Sequence, residues 1–128
     1  MSKRKKVLII DDDYDFVEIN KTVLENNGYI VYTAFNGKEG LQLAHDKNPD
    51  AIIMDVIMNT KSDGFDTARE LRKSEQTKNI PILMITSVNE TVPFEFGPDE
   101  KWLPVDMFLE KPVSPEVLME YVVKLIKN

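Results

Sequence analysis

Hydrophobic and polar positions along this chain fall into two alternating patterns. The first is a short unbroken apolar run, seen at Val7 to Ile10, at Ala51 to Met54 and at Ile80 to Ile85. Runs of this length without polar alternation, bounded by turn residues, predict strands buried on both faces, as in a parallel sheet. Pro81 can stand only near the start of its strand. Tyr29 to Ala34 is more mixed in polarity and predicts an edge strand, and Met107 to Glu110 predicts a fifth strand. The second pattern is helical. Phe16, Val17, Ile19, Val23 and Leu24 share a helical period that stops at Asn26-Asn27-Gly28, with Gly28 suited to a left-handed position past the helix end. Asn36 is placed to cap a helix over Gly37–Lys47 with Leu41, Leu43 and Ala44 inward and Pro49 just beyond it. A further helix, Gly64 to Ser74, would bury Phe65, Ala68 and Leu71. Ser114-Pro115 opens a last one burying Val117, Leu118, Tyr121, Val122, Leu125 and Ile126.

Strands alternating with helices imply an α/β fold with right-handed crossovers, in which ligands bind beyond the carboxyl ends of the strands. In a parallel sheet those ends share one edge. The residues predicted there are Asp11-Asp12-Asp13, then Asp55, then Thr86-Ser87, then Lys111.

Composition narrows the possibilities. The 128 residues fit one domain, 1–128, with residues 1–5 as a basic tail before the first strand. A formal net charge of −6 argues against non-specific binding to nucleic acid. The absence of cysteine excludes disulfides and thiolate metal sites and fits a reducing, cytoplasmic setting. The apolar stretch after Lys3-Arg4-Lys5-Lys6 ends at Asp11, too short for a secretory leader, and nothing approaches the roughly 20 apolar residues of a membrane span.

Clustered carboxylates repel one another, and burying them is costly unless a cation neutralises them. Oxygen-only ligands favour Mg²⁺, with Mn²⁺ as a substitute. An aspartate at such a centre can take a phosphoryl group as an acyl phosphate, while a lysine and a hydroxyl stabilise the transferring oxygens. Asp55, Lys111 and Thr86 have the types for those three roles. Taken singly, each has a plainer reading: the acidic run as a helix cap, Asp55 as a turn residue, Thr86 as a cap, Lys111 as a surface lysine. Asp11-Asp13-Asp15 also imitates a calcium loop, but Phe16 stands where glycine is required and Thr22 where the bidentate glutamate belongs.

Taken together, Val7 to Asp13, Pro49 to Asp55, Ile82 to Ser87 and Phe108-Leu109-Glu110-Lys111-Pro112 resemble, in order and spacing, the receiver domain of two-component response regulators of the chemotaxis-regulator type. The resemblance covers essentially the whole chain. It implies a flavodoxin-like (βα)5 fold with a five-stranded parallel sheet in the order 2-1-3-4-5. It implies Asp55 as phosphoacceptor, and a Mg²⁺ ion held by Asp12 directly, by Asp11 through water, by Asp55 and by the backbone carbonyl of Ile57. It implies Thr86 as a switch hydroxyl, Phe108 as a switch aromatic, and Lys111 as the phosphate partner before a cis peptide at Pro112. The implied donor is a phosphohistidine on a sensor histidine kinase or phosphotransfer protein. Output would be a protein contact without direct nucleic-acid or membrane binding, by a monomer or a phosphorylation-dependent dimer.

Two stretches depart from the family pattern. The loop after Met58, Asn59 to Gly64, is about one residue longer than usual. Between Thr86 and Lys111, three prolines (Pro93, Pro98, Pro104) and no 3.6 period predict an irregular or shortened fourth helix. That departure keeps a second function open, a pseudo-receiver acting as an interaction module without phosphate. A phosphohydrolase of the haloacid-dehalogenase type fits less well, because its nucleophile would stand on the first strand. The reading is of a self-phosphorylating and self-dephosphorylating signalling domain rather than a turnover enzyme. Apolar Ile57 and Val88 flanking the site would prolong the phosphorylated state.

Overall fold

A computed structural model describes residues 4–55, 63–87, 106–111 and 113–127, with the backbone only for residues 63–65, 86, 87 and 127. The elements run β1 (Lys6–Ile10), α1 (Tyr14–Asn26), β2 (Ile30–Ala34), α2 (Gly37–Lys47), β3 (Ala51–Asp55), α3 (Asp63–Lys73), β4 (Ile82–Ser87), β5 (Met107–Lys111) and α4 (Pro115–Lys127). The five strands form one parallel sheet in the order β2-β1-β3-β4-β5. The mixed strand β2 is at an edge, and the fully apolar β1 and β3 lie inside.

Strand alternation divides the core in two. Leu8, Ile10, Ile52, Met54, Ile82 and Met84 face one side and pack with Ala44 of α2 and Ala68 and Leu71 of α3. Val7, Ile9, Ile53, Leu83 and Ile85 face the other and pack with Val17 and Leu24 of α1 and Leu118, Val122 and Leu125 of α4. Each interior strand is covered on both faces, which is why the runs carry no polar alternation.

The helix starts follow their caps. Asp13 Oδ1 accepts from the Phe16 amide at 3.2 Å, Asn36 Oδ1 from Glu39 at 2.8 Å, and Ser114 Oγ from Val117 at 3.2 Å. Gly28, beyond α1, has φ +93°, the left-handed conformation that costs glycine nothing. The α2 helix ends on Asn48 in the left-handed region, at φ 49°, immediately before Pro49.

Ile19, on the apolar period of α1, and Val117, expected to be buried, lie outside the core. Ile19 is 54% exposed and Val117 38% exposed. The buried stripe of α1 is Val17, Asn20 and Leu24; two positions past Val17, Ile19 is turned about 200° around the helix. The stripe takes Asn20 instead, whose Nδ2 donates to the Phe16 carbonyl at 2.8 Å. Val117 is one position off the stripe of Leu118, Val122 and Leu125. The Phe65 side chain, residues 59–62 of the expected loop, the expected irregular helix within 88–105 and the peptide at Pro112 lie outside what the structure describes, and Asp63 and Gly64, expected in that loop, open α3. Among the described residues, no helix is long and apolar enough to cross a membrane.

The connection from α3 into β4 is held by one arginine. Arg72 donates to the carbonyls of Lys78 at 2.9 Å and Ile80 at 2.7 Å, and pairs with Asp106 at 3.0 Å. Asp106 in turn accepts from the Ile82 amide at 2.8 Å. The entries to β4 and β5 are thereby fastened together at the edge of the sheet opposite the acidic residues.

On α2, Gly40 allows the helix to lie against β1: a Cβ there would stand 2.4 Å from Ile10 Cδ1, in the packed core. Gly40→Ala should therefore lower unfolding free energy by about 1–2 kcal/mol despite alanine's better helix propensity. Ile10→Val should recover part of that loss, as read by urea denaturation of the single and double variants.

Candidate functional site

Asp11 follows β1 and its amide donates to the Ala34 carbonyl at 3.0 Å, so it continues the strand by one residue. Asp55 is the last residue of β3 and Lys111 the last of β5. Each stands two positions beyond a residue on the α1 and α4 side of the sheet: Ile9, Ile53 and Leu109. The period of two in a strand therefore sends all three side chains to the same side, at the carboxyl edge. Asp12 joins them from the turn into α1. One carboxylate oxygen from each of Asp11, Asp12 and Asp55 can be chosen so that all lie within 4.8 Å of one another.

Lys111 closes the cluster. Its Nζ is 3.2 Å from Asp11 Oδ2 and donates to Asp55 Oδ2 at 3.4 Å. Asp11 is 1% exposed and Asp55 7%, so these are charges in a largely dry environment. Burial pushes the Asp11 carboxyl above its ordinary range, against the opposing pull of the Asp13 amide and the Lys111 ammonium. Burial alone would lower Lys111. The two carboxylates outweigh it and hold the ammonium above the usual lysine value.

The donor set suits a hard divalent cation. Asp11 Oδ1 accepts from the Asp13 amide at 2.9 Å. Asp11 Oδ2 is buried and accepts no hydrogen bond of proper geometry, although the lysine faces it. A buried carboxylate oxygen without a hydrogen bond of proper geometry, beside two further carboxylates and with no nitrogen or sulfur ligand in the group, fits Mg²⁺ better than Zn²⁺. The acidic run divides its labour: Asp13 caps α1, as the plain reading had it, while Asp11 and Asp12 join the cluster.

The other sequence-nominated residues are placed as follows. Thr86 lies on β4 in register with Glu110, beside Ser87, which is in register with Lys111; its side chain lies outside the described atoms. Phe108, in register with Met84, is partly buried against the core on the α2 and α3 side. Ile57 and Val88 lie outside the described residues. The sequence put Phe16 only on the apolar period of the first helix. Its ring also lies 4.7 Å from Lys111 Nζ, and the only signal for that was an aromatic one turn into the helix after the acidic run.

Comparison with known proteins agrees with this geometry. Residues 7–123 match the family model of the response regulator receiver domain. The chain is 37% identical over 111 residues to the alkaline phosphatase synthesis transcriptional regulatory protein PhoP of Bacillus subtilis, covering 87% of this chain and 44% of PhoP. It is 31% identical over 115 residues to protein PilH of Pseudomonas aeruginosa, covering 90% of this chain and 92% of PilH. The chemotaxis response regulator CheY4 of Vibrio cholerae superimposes with a TM-score of 0.83 at 33% identity, over 96% of this chain and 99% of CheY4. This chain belongs to the receiver-domain family of two-component response regulators. It spans less than half the length of PhoP.

Because Asp11 is pushed upward, the native state keeps a proton that the unfolded chain has already released. Stability is therefore lost as pH rises from the ordinary carboxylate range through the native-state value. Asp11→Asn should remove this part of the pH dependence, so that metal-free stability relative to wild type is most favourable near neutral pH and the difference shrinks as pH falls into the carboxylate range. Mg²⁺ at tenfold its Kd should stabilise the wild type by about 1.4 kcal/mol and the variant by much less, in thermal melts with and without chelator.

Proposed function

We propose that this domain accepts a phosphoryl group on Asp55 in a Mg²⁺-dependent reaction and acts as a phosphorylation-controlled switch. The observation that carries the reading is the convergence of Asp11, Asp12, Asp55 and Lys111 at the carboxyl edge of the sheet. The donor is a phosphohistidine on a sensor histidine kinase or phosphotransfer protein, the partner class that receiver domains imply.

An Asp55 carboxylate oxygen attacks the phosphorus. The new P–O bond forms as the P–N bond to the donor imidazole breaks, and the departing nitrogen keeps the electron pair and takes a proton from solvent. Asp11, Asp12, Asp55 and the Ile57 carbonyl would hold the divalent ion, which when bound neutralises charge on the transferring oxygens. Lys111 moves its ammonium from the carboxylates toward the phosphoryl group, and the Thr86 hydroxyl takes one phosphoryl oxygen. Phe108 follows Thr86 inward as the switch aromatic. Water later attacks the acyl phosphate and restores the carboxylate.

PhoP is by its name a transcriptional regulatory protein. For the receiver domain itself we propose output through protein contacts; any contact with DNA would come from a region beyond the matched span. A cytoplasmic location, where sensor kinases present their phosphohistidine, fits this reading.

Intact mass spectrometry after incubation with acetyl phosphate and Mg²⁺ tests it. The wild type should gain one phosphoryl group, Asp55→Asn none, and Lys111→Ala should react about a hundredfold more slowly. No adduct on the wild type would overturn the proposal in favour of a phosphate-independent interaction module, and turnover of the donor without an adduct would point to a hydrolase.

A further inference from the structure

Lys111 is a long, flexible side chain asked to hold one place between two carboxylates, at 3.2 Å from Asp11 and 3.4 Å from Asp55. Those two anions alone do not restrain it, since a lysine ammonium is a point charge that can swing toward either one or out to solvent. A third neighbour meets it from the α1 side: the face of Phe16, with its centroid 4.7 Å from Nζ. Phe16 is itself pinned. Its amide donates to Asp13 Oδ1 at 3.2 Å, its carbonyl accepts from the buried Asn20 at 2.8 Å, and it packs partly buried against the α1 and α4 core.

We propose that Phe16 is a positioning residue for Lys111. The electron-rich ring face attracts the ammonium and keeps water from that side. The ammonium is thus held toward the cluster, where a phosphoryl group on Asp55 would present its oxygens. Attraction by the ring does not depend on which carboxylate is charged, so it persists when Asp55 changes from carboxylate to acyl phosphate. The same contact joins the start of α1 to the end of β5 through the site. This inference rests on the phosphoacceptor reading of Asp55.

Phe16→Leu keeps an apolar side chain but removes the ring face, whereas Phe16→Tyr keeps it. With acetyl phosphate and Mg²⁺, the leucine variant should be phosphorylated about three- to tenfold more slowly than wild type, and the tyrosine variant at close to the wild-type rate. Equal thermal midpoints for the two variants would separate positioning from folding. In NMR spectra the Lys111 Hε protons should show ring-current shielding in wild type and Phe16→Tyr that is lost in Phe16→Leu. Leucine and tyrosine variants reacting at the same rate, or Lys111 Hε shifts that do not move, would overturn the proposal. If the wild type itself took no phosphoryl group, the phosphoacceptor reading would fall, while the Hε shifts would still decide whether Phe16 holds Lys111.

Discussion

Two aspartates removed from water on neighbouring strands set the terms for the rest of this molecule. A buried carboxylate is stabilised only by cations and hydrogen bonds placed around it, and here the fold supplies both in fixed positions. The Asp13 amide and the Lys111 ammonium meet Asp11, and Lys111 also reaches Asp55. These partners do not fully offset the burial of Asp11, whose carboxyl stays above its ordinary range. That residual cost suits the cluster to positive charge. In the proposed reaction, binding a divalent ion or converting Asp55 to an acyl phosphate would change a term that the folded state already carries.

Parity in a parallel sheet is what makes this arrangement inexpensive to build. Asp11, Asp55 and Lys111 each extend a strand whose preceding same-side residue is in the α1 and α4 core. No special backbone is required to aim them. The strand order places β1 beside β3 and puts β4 between β3 and β5, so Lys111 reaches over β4 to the aspartates. The lysine's four-carbon stem provides that reach. The first turn of α1, capped by Asp13, brings Phe16 to the lysine from the opposite side. A single run, Asp11 to Phe16, therefore contributes two carboxylates of the cluster, a helix cap and an aromatic face.

Much of this was legible in advance, and the exceptions have physical causes. The apolar runs of β1 and β3 announced two-sided burial, and Asn36, Gly28 and Ser114 announced helix ends, because those signals depend on a few adjacent residues. The exposure of Ile19 and Val117 was not legible because hydrophobicity does not report helical phase: the stripe of α1 chose Asn20 over Ile19, and the side-chain bond from Asn20 to the Phe16 carbonyl made a buried amide acceptable. Arg72 carried no signal at all, since its partners at Lys78, Ile80 and Asp106 are brought to it only by the turn into β4 and the arrival of β5.

The amino-acid sequence by itself determined the parallel α/β architecture, its strand ends and the residue types gathered there, because periodicity and capping are local and the order of motifs is specific to one family. Only the tertiary structure decided which acidic residue caps and which ones cluster, how deeply Asp11 is buried, and that Phe16 touches Lys111. Those outcomes depend on distances between residues as far apart in the chain as Asp11 and Lys111, and such distances exist only once the sheet has formed.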